Sequence, residues 1–102
     1  MKRLLVLLAI LVASAGALSS VDAQQPRVLV FSRTAGYRHS SIPNGIAAVR
    51  KIGQENGFAV DATEDATAFT AKNLARYRAV VFMSTTGDVL NASQQDNFER
   101  YI

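Results

Sequence analysis

The residues with the clearest chemical potential lie in the stretch "SRTAGYRHSS", which follows a short apolar run. The chain's single histidine, His39, can transfer protons near neutral pH or bind a metal ion. The guanidinium of Arg38 can hold a carboxylate or a phosphate through two parallel hydrogen bonds. Gly36 has no side chain, so its backbone N–H can approach a ligand closely. We interpret the stretch as one part of a ligand site, with His39 as the candidate catalytic residue.

Two later segments carry side chains of similar chemistry. Glu64 and Asp65 form an acidic pair that can bind a sugar hydroxyl or a cation, and "STTGD" ends in Asp88. Each feature also has a purely structural interpretation: a solvated acidic turn, turn chemistry at Gly87, and for His39 a hydrogen bond to a neighbouring carbonyl. The candidate ligand-binding residues are Thr34, Gly36, Arg38, Ser41, Glu64, Thr86, Gly87 and Asp88.

The elements that must position these residues alternate between strands and helices. Three apolar runs rich in β-branched residues predict strands over 27–31, 58–63 and 78–84. Helical spacing predicts helices over 43–56, 71–74 and 92–102. This order predicts an α/β fold in which helices cover both faces of a parallel sheet. The loops at the carboxyl ends of parallel strands share one edge, where such sheets bind ligands.

Local signals predict how the helices begin, end and face the sheet. Ser41, Thr70 and Asn91 are candidate N-caps, and Gly57 ends the first helix. The inward positions of the first helix are Ile42, Ile46, Val49 and either Ile52 or Gly53. Those of the last helix are Phe98 and Ile102.

The first residues of the chain have the pattern of a secretory signal peptide. A basic start, Met1 to Arg3, is followed by fifteen uncharged residues from Leu4 to Leu18 and by small residues up to Ala23. A membrane anchor is the alternative, but crossing a bilayer takes about 20 apolar residues. We therefore predict a signal peptide over 1–23, cleavage after Ala23, a secreted or periplasmic mature chain, and no membrane association after cleavage.

Composition excludes several classes of protein. The chain has no cysteine, so it has no disulfide, thiol nucleophile or cysteine metal site, and we predict no metal site. Its net charge of +3 is scattered, so we do not expect a nucleic-acid partner. The glycines match neither a Walker loop nor a dinucleotide fingerprint, and no serine lies in a nucleophile elbow. The cofactor and the metal dependence stay undetermined.

Several motifs together resemble the opening half of the trehalose-utilisation (ThuA-like) domain, over residues 26–102. Their order and spacing carry the resemblance, since no single motif is diagnostic. The matching motifs are Thr34-Ala-Gly36, Arg38-His39, Ser41-Ile42, Thr63-Glu64-Asp65, Leu74-x-x-Tyr77 and Ser84 to Leu90, followed by Gln95 and Phe98.

The resemblance implies a flavodoxin-like fold of the class I glutamine-amidotransferase type. It also implies a link to sugar metabolism, a sugar or sugar derivative as ligand, and export together with other carbohydrate-related domains. Family domains are longer, so we expect residues 24–102 to be the N-terminal part of such a domain, truncated after about three strands. The amidotransferase nucleophile segment is absent, so we infer no amidotransferase chemistry.

Three functions remain open at this point. The first is an enzyme in which His39 and Arg38 polarise a sugar-derived oxygen while Asp88 or Glu64 positions hydroxyls. The second is a non-catalytic module that binds carbohydrate or docks on it with the same residues. The third is a flavodoxin-like cofactor binder, which the hydroxyls and glycine of Thr34 to Gly36 weakly favour.

Overall fold

A computed structural model describes residues 25–102, and the predicted signal peptide lies outside the described residues. Within them, the strands lie in one parallel sheet of order β2-β1-β3, flanked by helices. This arrangement confirms the predicted α/β class and agrees with a flavodoxin-like fold. The elements are β1 (Arg27–Phe31), α1 (Ile42–Asn56), β2 (Ala59–Thr63), a 3₁₀ turn (Ala66–Ala68), α2 (Ala71–Leu74), β3 (Ala79–Phe82) and α3 (Ala92–Tyr101).

Strand β1 forms the centre of the sheet and of the core. Leu29, Val30 and Phe31 are at most 1% exposed, since strands pair on both sides of β1 and helices cover both faces. Phe31, its last residue, pairs with Thr63 and with Phe82, the last residues of β2 and β3. The strands therefore end level with one another, and the three following loops leave from one edge.

Helix α1 packs closely against one face of the sheet, and two glycines allow this approach. A Cβ on Gly53 would lie 2.6 Å from the carbonyl oxygen of Phe58, beside the start of β2. A Cβ on Gly45 would lie 2.6 Å from Sδ of Met83, beyond the end of β3. Both distances are too short for a real Cβ. At Gly53 the obstacle is backbone, so a larger residue would push the helix off the sheet, whereas at Gly45 the end of the Met83 side chain would have to move.

Aromatic rings fill the core on the opposite face, between the sheet and the helices α2 and α3. The rings of Phe31 and Phe69 are 4.8 Å apart, and those of Phe82 and Phe98 are 5.2 Å apart, both in edge-to-face geometry. Such pairs add about 0.5–1.5 kcal/mol each beyond the area that they bury. The last helix is thus held to the sheet mainly through Phe98, as its predicted inward position requires.

Several predicted boundaries and inward positions are wrong by a small margin. Helix α1 begins one residue earlier than predicted, while β2 and β3 are shorter than the apolar runs. Ile52 is half-exposed, so Gly53 is the inward residue of that pair of alternatives. Ile102 is 83% exposed and lies outside α3, because that helix ends at Tyr101. The burial of β3 is also incomplete, since this strand lies at the edge of the described sheet.

Two of the three predicted N-caps are confirmed, and the third is wrong. The side chains of Thr70 and Asn91 accept hydrogen bonds from the backbone of the first turn of α2 and α3. Both residues have extended backbone, which directs the side chain at the free N–H groups. Ser41 instead has helical angles, φ −76° and ψ −10°, and its side chain makes no capping bond. Gly57 ends α1 as predicted, in the left-handed conformation with φ +77°.

None of the helices within residues 25–102 combines the length and the apolar character that crossing a bilayer requires.

Candidate functional site

The candidate site is the edge of the sheet where the strands end, which we call the rim. It consists of the β1 loop (residues 32–41), the β2 loop (residues 64–70) and the β3 loop (residues 83–91). Every predicted site residue lies in one of these three loops. The parallel register of the strands brings the loops to this one edge, as the sequence predicts.

Thr86 joins the β1 loop to the β3 loop. Its carbonyl accepts the N–H of Ala35 at 2.8 Å and the N–H of Gly36 at 3.2 Å. Its hydroxyl donates to the carbonyl oxygen of Tyr37 at 2.6 Å, and Thr34 forms a parallel bridge with it. The N–H of Gly36 is therefore used within the protein, which corrects the expectation that it is offered to a ligand.

Gly87 is required by the same junction. Its φ is +75°, a conformation that residues with a Cβ rarely adopt. A Cβ at this position would also lie 3.1 Å from the backbone nitrogen of Gly36 and 3.1 Å from Cβ of Ala35. The sharp turn predicted at Gly87 is confirmed, and its role in the structure is close contact between two rim loops.

An ion pair between Arg38 and Glu64 joins the β1 loop to the β2 loop. About half of each side chain is exposed to solvent. Pairs of this kind contribute about 1 kcal/mol or less to stability, because water screens them. Breaking this ion pair therefore costs little free energy. The guanidinium of Arg38 and the carboxylate of Glu64 can each bind a ligand instead of one another.

His39 and Tyr37 lie side by side on the exposed surface of the β1 loop. Their ring centroids are 5.0 Å apart, with an angle of 78° between the planes. The carbonyl of His39 accepts the N–H of Ile42 at 3.3 Å, which ties this part of the loop to the start of α1. Ser41 is exposed beside them, with a side chain that is not used in capping. The imidazole can thus reach solvent, as a proton-transferring group must.

A polar cavity of about 360 Å³, which we call the rim cavity, also lies on the rim. All three loops and the first turn of α3 contribute to its lining, and Asp88 is the predicted site residue among them. The lining residues are Arg33, Asp65, Ala66, Thr67, Asp88, Val89, Leu90, Asn91 and Gln94. The cavity therefore brings one guanidinium, two carboxylates and two amides to a single concave surface.

Hydrogen bonds stabilise the charged form of Asp65 in the rim cavity. Hydrogen bonds from Thr67, chiefly from its backbone N–H at 2.9 Å, lower the pKa of Asp65, and the nearby charge of Arg33 acts in the same direction. Among the described residues Arg33 itself forms no ion pair within 4.0 Å. Its N–H donors are available to a molecule that enters the cavity.

The remaining predicted site residues do not line the rim cavity. They are Thr34, Gly36, Arg38, His39, Ser41, Glu64, Thr86 and Gly87. Thr34, Gly36, Thr86 and Gly87 hold the loops together, whereas Arg38, His39, Ser41 and Glu64 present exposed side chains. The rim thus has both a cavity and an exposed polar surface.

Arg33, Asn91 and Gln94 line the cavity but are not among the residues that the sequence predicts for the site. Asp65 is predicted only as part of the acidic pair with Glu64. The sequence signal for Arg33 is its position just after β1, at the carboxyl end of the strand, where such sheets bind ligands. Asn91 and Gln94 carry no such signal, since their mutual capping bonds already explain their types.

A second and larger groove lies at the other end of β3. It has a volume of about 520 Å³ and is lined by Tyr77, Arg78, Ala79, Val80, Phe98, Tyr101 and Ile102. This surface is more apolar, and it contains none of the predicted site residues. No cluster of three or more histidine, cysteine or acidic side chains suited to a metal ion occurs in the part of the chain that the structure describes. The rim cavity is therefore the better candidate for a polar ligand.

Comparison with known proteins gives one match. The model of the ThuA family, described as trehalose utilisation, matches residues 27–102. No curated protein and no solved structure matches the chain significantly. The match covers the strands and helices of residues 25–102 and the three loops of the rim. The chain therefore belongs to the ThuA, or trehalose-utilisation, family.

Proposed function

We propose that this chain is an exported domain of carbohydrate metabolism that binds a sugar or sugar derivative, of the trehalose-type glycoside class, at the rim. The observation that carries the proposal is the rim cavity, with its polar lining drawn from three loops. The chain belongs to a family whose description is trehalose utilisation, and this supports the choice of ligand class.

The side chains of the rim cavity match the chemistry of a sugar. Each sugar hydroxyl donates one hydrogen bond and accepts others, so its recognition needs both acceptors and donors. Asp65 and Asp88 supply acceptors and the guanidinium of Arg33 supplies donors. The NH₂ groups of Asn91 and Gln94, whose oxygens form the capping box, supply further donors. A polar ligand that pairs with these groups replaces the water that solvates them in the free protein.

His39 is the residue to which we assign catalysis, if the bound sugar is transformed. Its imidazole is exposed on the rim, and an imidazole can both donate and accept a proton. One observation favours the alternative of a module that binds without turnover. Arg38, the expected partner of His39 at a sugar oxygen, is engaged by Glu64. Binding and turnover must therefore be measured separately.

The test is to titrate the purified chain with trehalose and with glucose and to measure binding of each sugar by ligand-detected NMR. We expect saturable binding to the wild type and at least tenfold weaker binding to Asp88→Asn, which loses a charged acceptor of the cavity. Asp96→Asn is the matched control, since Asp96 is exposed on α3 and does not line the cavity. Equal affinities for the two variants would contradict the proposal.

The same samples separate an enzyme from a binding module. Incubation with the bound sugar and NMR of the products tests for turnover, and His39→Ala tests the assigned residue. A product that His39→Ala no longer forms supports the enzyme. Binding without any product, unchanged by His39→Ala, supports the binding module instead.

Export is the part of the proposal that depends on residues 1–23. Their basic start, apolar middle and small residues at Val21 and Ala23 support it. Expression of the whole chain in a bacterium, with N-terminal sequencing of the periplasmic fraction, tests it. The expected mature terminus is Gln24, and an uncleaved chain in the cytoplasm would contradict export.

A further inference from the structure

Tyr37 differs from the other two tyrosines of the chain. Tyr77 and Tyr101 pack in or against the core. The hydroxyl of Tyr77 donates to Oδ2 of Asp61 at 2.7 Å, and the hydroxyl of Tyr101 donates to the carbonyl oxygen of Tyr77 at 2.8 Å. The side chain of Tyr37 is instead 72% exposed, and its hydroxyl makes no hydrogen bond within residues 25–102. This ring contributes little to the core, so its place on the rim needs another explanation.

The structure fixes the position of this exposed ring. The carbonyl of Tyr37 accepts the hydroxyl of Thr86, and the preceding N–H groups are bound to the same threonine. The ring of His39 packs beside it at 5.0 Å, in the edge-to-face geometry that aromatic pairs favour. A single exposed apolar residue is common on protein surfaces, but one held on both its backbone and its ring is preorganised for contact.

Pyranose rings have a face made of C–H groups, which packs against the face of an aromatic ring. Tyrosine suits such a contact, because it offers a large rigid surface and loses little conformational entropy on binding. The imidazole of His39 adds a polar group at the border of the ring, and Arg38, between the two in the chain, forms an exposed ion pair with Glu64. An apolar plate bordered by hydrogen-bonding groups complements a sugar ring, whose faces are apolar and whose edge carries hydroxyls.

We propose that Tyr37 is the stacking platform for a sugar ring at the rim and a determinant of specificity for pyranosides. This inference rests on the proposed function, since it assigns a second contact to the same ligand. It adds a specific role for a residue outside the cavity: the face of Tyr37 binds the C–H face of the sugar, while its hydroxyl is dispensable.

Two variants of the whole chain separate ring from hydroxyl. Tyr37→Phe keeps the ring, and Tyr37→Leu replaces it with an apolar side chain that lacks an aromatic face. Trehalose affinity should stay within about twofold for Tyr37→Phe and fall roughly tenfold for Tyr37→Leu. Unfolding temperatures should match the wild type in both, because the side chain is 72% exposed. The sugar C–H signals should shift upfield on binding to the wild type and to Tyr37→Phe, and not on binding to Tyr37→Leu.

The outcomes distinguish this inference from the proposed function. Equal affinity of Tyr37→Leu and the wild type, with weak binding by Asp88→Asn, would leave sugar binding in place and overturn the stacking role. An equal loss in Tyr37→Phe and Tyr37→Leu would also overturn it, since the hydroxyl would then be the contact. Absence of any sugar binding to the wild type would contradict both the stacking role of Tyr37 and the proposed function.

Discussion

Two adjacent residues, Thr86 and Gly87, determine how the β1 and β3 loops meet. Thr86 uses its carbonyl and its hydroxyl to hold three consecutive residues of the β1 loop, from Ala35 to Tyr37. Gly87 then turns the chain close to Gly36 of the β1 loop. The space between them is too small for a side chain, since a Cβ on Gly87 would lie 3.1 Å from the nitrogen of Gly36. The positions of Tyr37 and His39 therefore depend on this junction between the two loops.

Substitution of Gly87 by alanine should destabilise the protein more than the same change at another left-handed glycine. Gly87→Ala places a Cβ at φ +75° and 3.1 Å from the nitrogen of Gly36. The conformation alone costs about 1–2 kcal/mol, and the contact adds to this cost. Thermal unfolding followed by circular dichroism measures the loss.

Gly57→Ala is the matched control for this prediction. Gly57 has a nearly identical φ of +77°, but a Cβ there would have no atom within 4 Å. This variant should lose only the conformational part, so its unfolding temperature should lie between those of the wild type and Gly87→Ala. Equal losses in the two variants would show that the junction with Gly36 does not matter.

A second residue-level prediction concerns Tyr77 at alkaline pH. Burial is the largest cause that raises the pKa of Tyr77 above its ordinary value of 10.0. The hydrogen bond to Asp61 and the negative charge of Asp61 raise it further. A raised folded-state pKa means that the stabilisation is fully present below the unfolded-state pKa and is lost as pH rises through the folded-state value. The free energy of unfolding should therefore decline above about pH 10.

Tyr77→Phe tests this prediction by urea unfolding at a series of pH values. At neutral pH the variant should be less stable by about 1 kcal/mol, because it loses a hydrogen bond to a carboxylate. Above pH 10 its stability should decline less steeply than that of the wild type, so the two curves should converge. Parallel curves across the alkaline range would contradict the assignment.

The helices show which local signals are sufficient and which are not. Asn91, with extended backbone, forms a complete capping box with Gln94, and both hydrogen bonds measure 2.9 Å. Ser41 has an equally favourable residue type, but its backbone is already helical. Pro43 lacks an N–H to be capped, and the N–H of Ile42 is bound by His39. Residue type predicts a cap only where the backbone enters the helix from an extended conformation.

Removal of the two candidate caps should therefore have unequal effects. Asn91→Ala should lower the free energy of unfolding by about 1 kcal/mol, because the backbone N–H of Gln94 in the first turn of α3 loses its acceptor. Ser41→Ala removes a hydroxyl that makes no capping bond and should change stability very little. Chemical unfolding of both variants measures the difference, and a loss at Ser41 as large as that at Asn91 would contradict the structure.

At the scale of the whole molecule, the strand–helix alternation could be predicted from short-range patterns. The apolar run of β1 and the cap at Thr70 are local signals, and the structure confirms the elements that they predict. The contacts within the rim could not be predicted in this way. Arg38 and Glu64 are 26 residues apart, and Thr86 and Tyr37 are 49 apart, so only the folded sheet brings them together.

The composition of the rim cavity shows the same limit. Asp88 was a predicted site residue, but Arg33 was not, although it follows β1 by two positions. Its role depends on which face of the sheet carries α2 and α3, and on the cavity that the start of α3 closes. Those are properties of the assembled layers, which single loops do not reveal.

Residue-resolved NMR of the ¹⁵N-labelled chain, titrated with trehalose, tests the central claim most directly. The claim is that a sugar binds at the carboxyl-end rim. We predict saturable shifts of backbone amides in residues 33–41, 64–67 and 86–94, and unchanged amides around Tyr77 and Tyr101 in the groove at the other end of β3. Shifts confined to that groove, or no shift at any residue in excess sugar, would contradict the account.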